Sequence, residues 1–134
     1  METLELNVVT PERVVFSDRV QVLVVMGVEG ELGILPDHTP LVTPLKSSVM
    51  YFKQEGKKYP VALSGGGYLE VTPSSATIIT DAAEFPREID TARAQAAKER
   101  AQERLGDSFP DIDAARAEAA LRRAQVRLKA LEWE

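Results

Sequence analysis

Ile89-Asp90-Thr91-Ala92-Arg93-Ala94 opens a segment that the chain states again 23 residues later as Ile112-Asp113-Ala114-Ala115-Arg116-Ala117. Continued to Leu105 and Leu128, 12 of 17 positions are identical, and seven of the twelve are not Ala, so composition alone does not produce the match. It is a repeat of one helical unit. Apolar residues of the second copy fall at Ala117, Leu121, Ala124, Leu128 and Leu131, and those of the first at Ala94, Ala97, Ala101 and Leu105. Steps of three and four mark one apolar side of a helix. Asp90 is placed to cap the first helix, its carboxylate accepting from free N–H groups of the first turn. Gly106 is placed to stop that helix. The short link Gly106-Asp107-Ser108-Phe109-Pro110 folds the pair into an antiparallel hairpin, with Asp111 or Asp113 capping the second helix. Alanine methyls bury little area, so at about 25 cal/mol per Å² the hairpin's self-packing is worth only a few kcal/mol. Contacts that weak are exchangeable, and the hairpin reads as a moving part.

Upstream of the repeat the pattern is β. Leu4, Leu6 and Val8 alternate with Glu5, Asn7 and Val9, a period of two. Thr10-Pro11-Glu12-Arg13 is a turn, and Val14-Val15-Phe16 a short strand expected to break at Ser17-Asp18. The run Val20 to Met26 suits a strand buried on both faces. Pro44 confines Leu41 to Leu45 to an edge or a bulge. Gln54-Glu55-Gly56-Lys57 and Thr72-Pro73-Ser74-Ser75 each join two strand-like runs as hairpins. Many short strands with frequent turns argue for a sandwich or barrel. The composition changes after Asp81, and Pro86 cannot continue a central strand. The expected organisation is therefore a β domain over 1–86 and a two-helix domain over 87–134.

Bulk properties exclude several classes. The 134 residues contain no cysteine, so there is neither a disulfide framework nor a thiolate metal site. The longest apolar run is too short to span a bilayer, and the N-terminus reads as neither a signal nor a transit peptide. Net charge is −5, and all of it lies in residues 1–84. An acidic body argues against nucleic acid as a partner. Positive charge is concentrated locally: residues 114–129 hold five basic groups against one acid, Glu118.

The arginines are the sharpest chemical signal. Arg93, Arg100 and Arg104 share one helical face, and Arg116, Arg123 and Arg127 repeat the arrangement. Two readings follow from the spacing. One is a pair of solvated faces carrying i,i+4 ion pairs. The other is a site for a polyphosphate or an acidic protein, for which the planar donor fork of arginine is suited. Other features carry less. Ser64-Gly65-Gly66-Gly67 lacks the Lys-Ser/Thr and the following helix of a phosphate loop and reads as a turn. His38 is the only histidine; it has no cysteine or acid cluster beside it, so no metal site is expected. No nucleophile–base pair stands out, so a hydrolase reading has no support. Trp133 is expected to pack or fray at the terminus.

The stretch Gly30-Glu31-Leu32-Gly33-Ile34-Leu35-Pro36-Asp37-His38-Thr39-Pro40-Leu41 closely resembles the signature of the epsilon subunits of bacterial-type F-type (F1Fo) ATP synthases. Ser64-Gly65-Gly66-Gly67-Tyr68-Leu69-Glu70-Val71 resembles a second stretch of the same family, and the likeness covers the whole chain. The resemblance implies an all-β sandwich of about ten strands followed by a C-terminal antiparallel α-helical hairpin. It implies a non-catalytic subunit of the central rotor stalk, coupling proton translocation to ATP synthesis and hydrolysis. Its partners would be the gamma subunit and the ring of c subunits, with Glu31 and His38 on that interface. The alpha/beta catalytic head would be a partner when the helices extend. The chain would sit on the cytoplasmic face of the bacterial plasma membrane, associated with it only through the complex.

The resemblance also gives the repeat a meaning. Family hairpins either fold against the sandwich or extend along gamma and inhibit ATP hydrolysis. Some bacterial members bind ATP in the folded form through Ile/Leu-Asp-x-x-Arg-Ala, which Ile89 to Ala94 match in full. The implied nucleotide site is Glu84, Ile89, Asp90, Arg93, Ala94, Arg100, Arg123 and Arg127. No cofactor is required, and ATP would be a regulatory ligand. In the extended form Arg116, Arg122 and Arg123 would face an acidic loop of the beta subunit. A β domain whose helical hairpin serves an unrelated acidic partner is the alternative, and copurification with gamma separates the two.

Overall fold

The computed structural model describes residues 2–106 and 111–133, with side chains over 2–106 and 114–133. Among these residues nine strands precede two helices: β1 Leu4–Val9, β2 Val14–Val20, β3 Val22–Gly27, β4 Gly30–Ile34, β5 Leu41–Leu45, β6 Ser48–Gln54, β7 Lys57–Leu63, β8 Gly67–Val71 and β9 Ser75–Ile79. The helices are α1, Thr91–Gly106, and α2, Asp111–Glu132, with a 3-10 turn at Pro86–Glu88 before them. About ten strands were expected. Among the described residues a further pairing at Glu84 stops at a single bridge to Ala62, because Pro86 begins the 3-10 turn two residues later.

The strands hydrogen-bond in the order β2-β1-β9-β8-β5-β3-β6-β7, with β4 on β3. Among the described residues only β1 and β9 pair in parallel. The path doubles over between β5 and β3, where Gly27 pairs with Leu45. Two layers result, with Leu6, Val8, Leu23, Ile34, Phe52, Leu69 and Ile78 buried between them. Phe16 of β2 meets Phe52 of β6 across the fold at 4.4 Å between ring centroids. Alternation along β1 puts Leu4, Leu6 and Val8 inward, as its period requires.

Several local expectations change. Ser17-Asp18 does not end a strand: β2 runs through it, held by the Asn7↔Ser17 and Leu6↔Asp18 pairings and by the Ser17 Oγ donating to Asn7 Oδ1 at 2.7 Å. The break falls at Gln21, between β2 and β3. In β3, Leu23 and Val25 are fully buried while Val22, Val24 and Met26 are half-buried. The outer face of that strand is only partly covered, so its apolar run does not mean two buried faces. Pro44 does not put β5 at an edge: the strand lies between β8 and β3, but among the described residues it meets β3 in register at Leu45 alone, so Pro44 takes its strand partner, Tyr68, from β8. Both hairpins also form: Gln54 pairs with Lys57 and Val71 with Ala76. The connection Asp107 to Pro110 and the capping role of Asp111 or Asp113 lie outside the described residues.

The Ser64–Gly67 turn requires its glycines. Gly67 has φ +131°, and a Cβ there would collide with the Ile79 carbonyl oxygen. Gly67→Ala is therefore expected to destabilise the chain by about 2–4 kcal/mol. Gly33→Ala, where a Cβ meets no atom within 4 Å, is expected to stay within about 0.5 kcal/mol of the parent. Urea unfolding midpoints at constant m check the pair.

Candidate functional site

The hairpin docks on the outer face of β6 and β7. Ile89, Ala94, Val126 and Ala130 form a small buried cluster on Ala62, flanked by Val49, Leu128 and Leu131. The repeat now has a packing meaning. Ala94 and Ala101 of α1 and their repeat partners Ala117 and Ala124 of α2 are all buried, so each copy brings two alanines, two turns apart, to the helix interface. The docking stripe is separate. Val126, Ala130 and Trp133 are spaced four and three apart, and the Trp133 ring lies 5.5 Å from that of Tyr51 in β6. Lys58 Nζ sits 5.1 Å from the Tyr51 centroid. This second apolar stripe of α2 is additional to the seam Ala117–Leu131 expected from the sequence, and its spacing of four and three is the signal for it.

The linker fixes the position of the hairpin. Glu84 N–H donates to Ala62 O at 3.0 Å, and Ala62 N–H donates to Glu84 O at 2.8 Å. The Glu84 carboxylate accepts from Arg127 Nε at 2.6 Å, both side chains less than one-third exposed. Glu88 closes the 3-10 turn by accepting from Phe85 N–H at 2.9 Å, and its other oxygen holds Arg13 at 2.7 Å. Partial burial pushes the Glu88 carboxyl up, but the hydrogen bonds from Arg13 and Phe85 and the nearby positive charge of Arg13 and Arg87 outweigh it and leave it below its ordinary value. Arg13 is raised, chiefly by its hydrogen bond to Glu88. Asp90 caps α1, its Oδ1 accepting from Arg93 N–H at 3.0 Å.

Between linker, α1 and α2 lies a cleft of about 310 Å³ lined by Glu84, Glu88, Ile89, Asp90, Arg93, Ala94, Ala97, Arg100 and Arg127. Its volume lies at the low end of ligand sites, which run from about 300 to 1,000 Å³. The three carboxylates of the cleft are each already engaged: Glu84 by Arg127, Glu88 by Arg13, Asp90 by the helix amide. The guanidiniums of Arg93 and Arg100 make no hydrogen bond or ion pair among the described residues. The cleft thus holds two uncompensated guanidiniums beside a helix N-terminus, an arrangement that attracts phosphate or carboxylate.

Seven of the eight residues named from the sequence for a nucleotide site line this cleft. Arg123, one turn before Arg127, is exposed and does not line it. Glu88 and Ala97 are lining residues that the sequence reading did not name; Ala97 follows Arg93 by four, which places it on the same face. Arg104, Arg116 and Arg122 are exposed. Glu31 stands exposed near the start of β4. His38 is half-exposed in the turn beyond that strand's end, its Nδ1 donating to Thr39 O at 2.6 Å. Among the described residues no three acidic or histidine side chains gather to hold a metal, and no helix is long and apolar enough to cross a membrane.

A β-sandwich with a helical hairpin docked against it, and an arginine-lined cleft in the joint, defines a two-part protein. The comparisons give that class a family. Residues 3–86 match the model of the ATP synthase delta/epsilon chain beta-sandwich domain, and residues 87–132 match that of the long alpha-helix domain. The chain belongs to the ATP synthase delta/epsilon family. It is 52% identical over 104 residues to the ATP synthase epsilon chain of Pelotomaculum thermopropionicum, covering 78% of this chain and 77% of that one. It is 45% identical over 111 residues to the epsilon chain of Brevibacillus brevis, covering 83% and 84%. A chain of the Euglena gracilis mitochondrial ATP synthase shares the fold, with TM-score 0.83 at 24% identity over 96% of this chain and 81% of that one. A chain of the central stalk/c-ring of the Tetrahymena thermophila enzyme shares it at TM-score 0.58 and 12% identity, over 97% of each chain.

Two measurements test the joint. Arg127→Gln should weaken docking by about 1–2 kcal/mol, since it leaves a half-buried carboxylate without its partner; the fluorescence of Trp133, the only tryptophan, reports release from Tyr51. Glu88 has a folded pKa below its unfolded value, so its stabilisation is complete above about pH 4.3 and is lost as pH falls through the folded value. Glu88→Gln should therefore lower thermal stability at pH 7 and flatten its decline below about pH 4.3, as read from melting temperatures across that range.

Proposed function

We propose that this chain is a non-catalytic rotor-stalk subunit that couples proton movement to ATP synthesis and hydrolysis, and that its hairpin is an ATP-sensitive inhibitor of hydrolysis. The observation that carries the regulatory part is the pair of unpartnered guanidiniums, Arg93 and Arg100, in the cleft between hairpin and sandwich. ATP phosphates would neutralise them only while the hairpin is docked, because α1, α2 and the linker all contribute to the cleft. ATP then favours the docked form by the ratio of its affinities for the two forms, about 1.4 kcal/mol for each tenfold. Ile89 and Asp90 also serve the fold, one by packing and one by capping. Arg93 has no such duty, which makes it the diagnostic residue. Arg123 would join the phosphates by swinging its side chain towards the cleft. With the hairpin released, Arg116, Arg122 and Arg123 would be free to meet an acidic loop of the beta subunit in the alpha/beta head.

Support for the stalk role lies on the opposite part of the sandwich. Val42, Tyr68 and Ile79 are large apolar residues left 70%, 60% and 55% exposed. They occupy neighbouring strands β5, β8 and β9, where Pro44, Tyr68 and Ile79 align in one row. Apolar side chains gathered on one face mark a protein contact, and the gamma subunit is the partner that this reading assigns to it. Glu31 and His38 would meet the ring of c subunits. The chain would be held at the cytoplasmic face of the bacterial plasma membrane by the complex alone.

Calorimetric titration of the chain with ATP tests the nucleotide site. Saturable binding is expected, weakened about tenfold or more by Arg93→Ala or Arg100→Ala, whereas Arg116→Ala, at the equivalent place in the second copy, should leave it unchanged. No heat at millimolar ATP, or equal losses for Arg93→Ala and Arg116→Ala, would remove the claim. Copurification of the chain with gamma tests the stalk role, and its loss in a Tyr68→Asp variant is the expected result.

A further inference from the structure

The hairpin has a second cavity on its other side. It encloses about 690 Å³, more than twice the volume of the arginine cleft. On α1 it is lined by Gln95 and Lys98, about half a turn around the helix from Arg93, Ala97 and Arg100. On α2 it is lined by Arg122, Val126 and Lys129 among others, again on the side away from Arg127. The two cavities share no lining residue.

Its chemistry differs from that of the cleft. The floor is apolar: Met26 of β3, Val49 of β6, and Val126 and Leu128 of α2. Met26, Val49 and Leu128 are only half-buried, so their remaining exposed surface faces solvent with the hairpin in place. Around this floor stand three cations, Lys98, Arg122 and Lys129, against one acid, Glu132. None of the three cations makes a hydrogen bond or ion pair among the described residues. Three like charges gathered without partners, in a chain of net charge −5, repel one another. An anion placed among them reverses that sign, and the floor beneath rewards an apolar body with burial at about 25 cal/mol per Å².

The geometry points to a second effector site, for a small organic anion with a carboxylate or phosphate head on a hydrocarbon body. Sandwich, α1 and α2 each supply part of it, so the site is whole only in the docked form. Its ligand draws the hairpin towards the sandwich. If the arginine cleft is the ATP site proposed above, the two ligands assist one another by the same factor in either order; binding at the second site does not depend on that reading.

Titration of the full chain with octyl phosphate, octanoate, inorganic phosphate and octyl glucoside, followed by calorimetry, tests the site. Saturable binding of octyl phosphate or octanoate is expected, with the tighter of the two identifying the head group. Inorganic phosphate and the uncharged glucoside should each bind about tenfold more weakly or worse. The double variant Arg122→Ala/Lys129→Ala should lose about tenfold or more in affinity for the tighter amphiphile while keeping its circular dichroism and melting temperature. Arg93→Ala, on the opposite side, should leave that affinity intact. Absence of saturable binding, inorganic phosphate or the glucoside binding as tightly as the amphiphile, or an affinity that follows Arg93 instead of Arg122 and Lys129, would overturn the proposal. Binding of the amphiphile in Arg93→Ala separates this site from the ATP cleft, so either can fail alone.

Discussion

Two backbone hydrogen bonds between Ala62 and Glu84 hold the two halves of this molecule in register. Ala62 lies in β7 with no exposed surface, and it is the floor on which Ile89, Val126 and Ala130 pack. Glu84 is the anchor for Arg127. One bridge therefore fixes the apolar floor, the ion pair above it and the start of the chain that leads into α1. Without it, Pro86 and the 3-10 turn would have no fixed origin, and the cleft would have no wall on the sandwich side. The Arg13–Glu88 pair adds a tie from the β1–β2 turn to the same short linker.

The docking that results is modest by construction. Its buried cluster is made mainly of Ala and Val side chains, with Ile89 the largest, and such side chains each remove little apolar area from water. Against that stand unpaired cations on both sides of the hairpin, Arg93 and Arg100 on one and Lys98, Arg122 and Lys129 on the other. On the proposed function, a weak apolar contact flanked by cations without partners gives an equilibrium that an anion bridging hairpin and sandwich can move. A leucine-rich interface would have fixed the hairpin in place. A hairpin without arginines would have docked without a signal. In this way the alanine repeat and the arginine stripes belong to one device.

Much of this was legible in the sequence, for identifiable reasons. Turn chemistry marked both hairpins, because Glu55-Gly56 and Pro73-Ser74 leave the backbone few other choices. The period of three and four located both helices, and Asp90 marked the start of the first. The exact partition of β2 and β3 was not legible, since Ser17 and Asp18 look like breakers until the neighbouring β1 is there to pair with them. The asymmetry of the two repeat copies was hidden as well. Periodicity places Arg93 and Arg116 identically on their own helices, but only docking decides which face meets the sandwich. Val126, Ala130 and Trp133 carried that decision, and they are legible as a stripe only once a second contact for α2 is sought. Likewise, Lys98, Arg122 and Lys129 belong to different turns and helices, and their convergence has no one-dimensional signature.

The central claim is that hairpin docking is a two-state equilibrium tilted by an anion in the joint. Because the chain contains no cysteine, spin labels can be placed at will. Exposed Glu12 on the sandwich and exposed Glu118 on α2 are suitable positions. Electron-electron distance measurements on the doubly labelled Glu12→Cys/Glu118→Cys chain should show two populations without ATP, one short and one long and broad. Saturating ATP should collapse them into the short one, and Arg93→Ala should abolish the response. A distance distribution that is the same with and without ATP, or a long population that grows with it, would contradict the account.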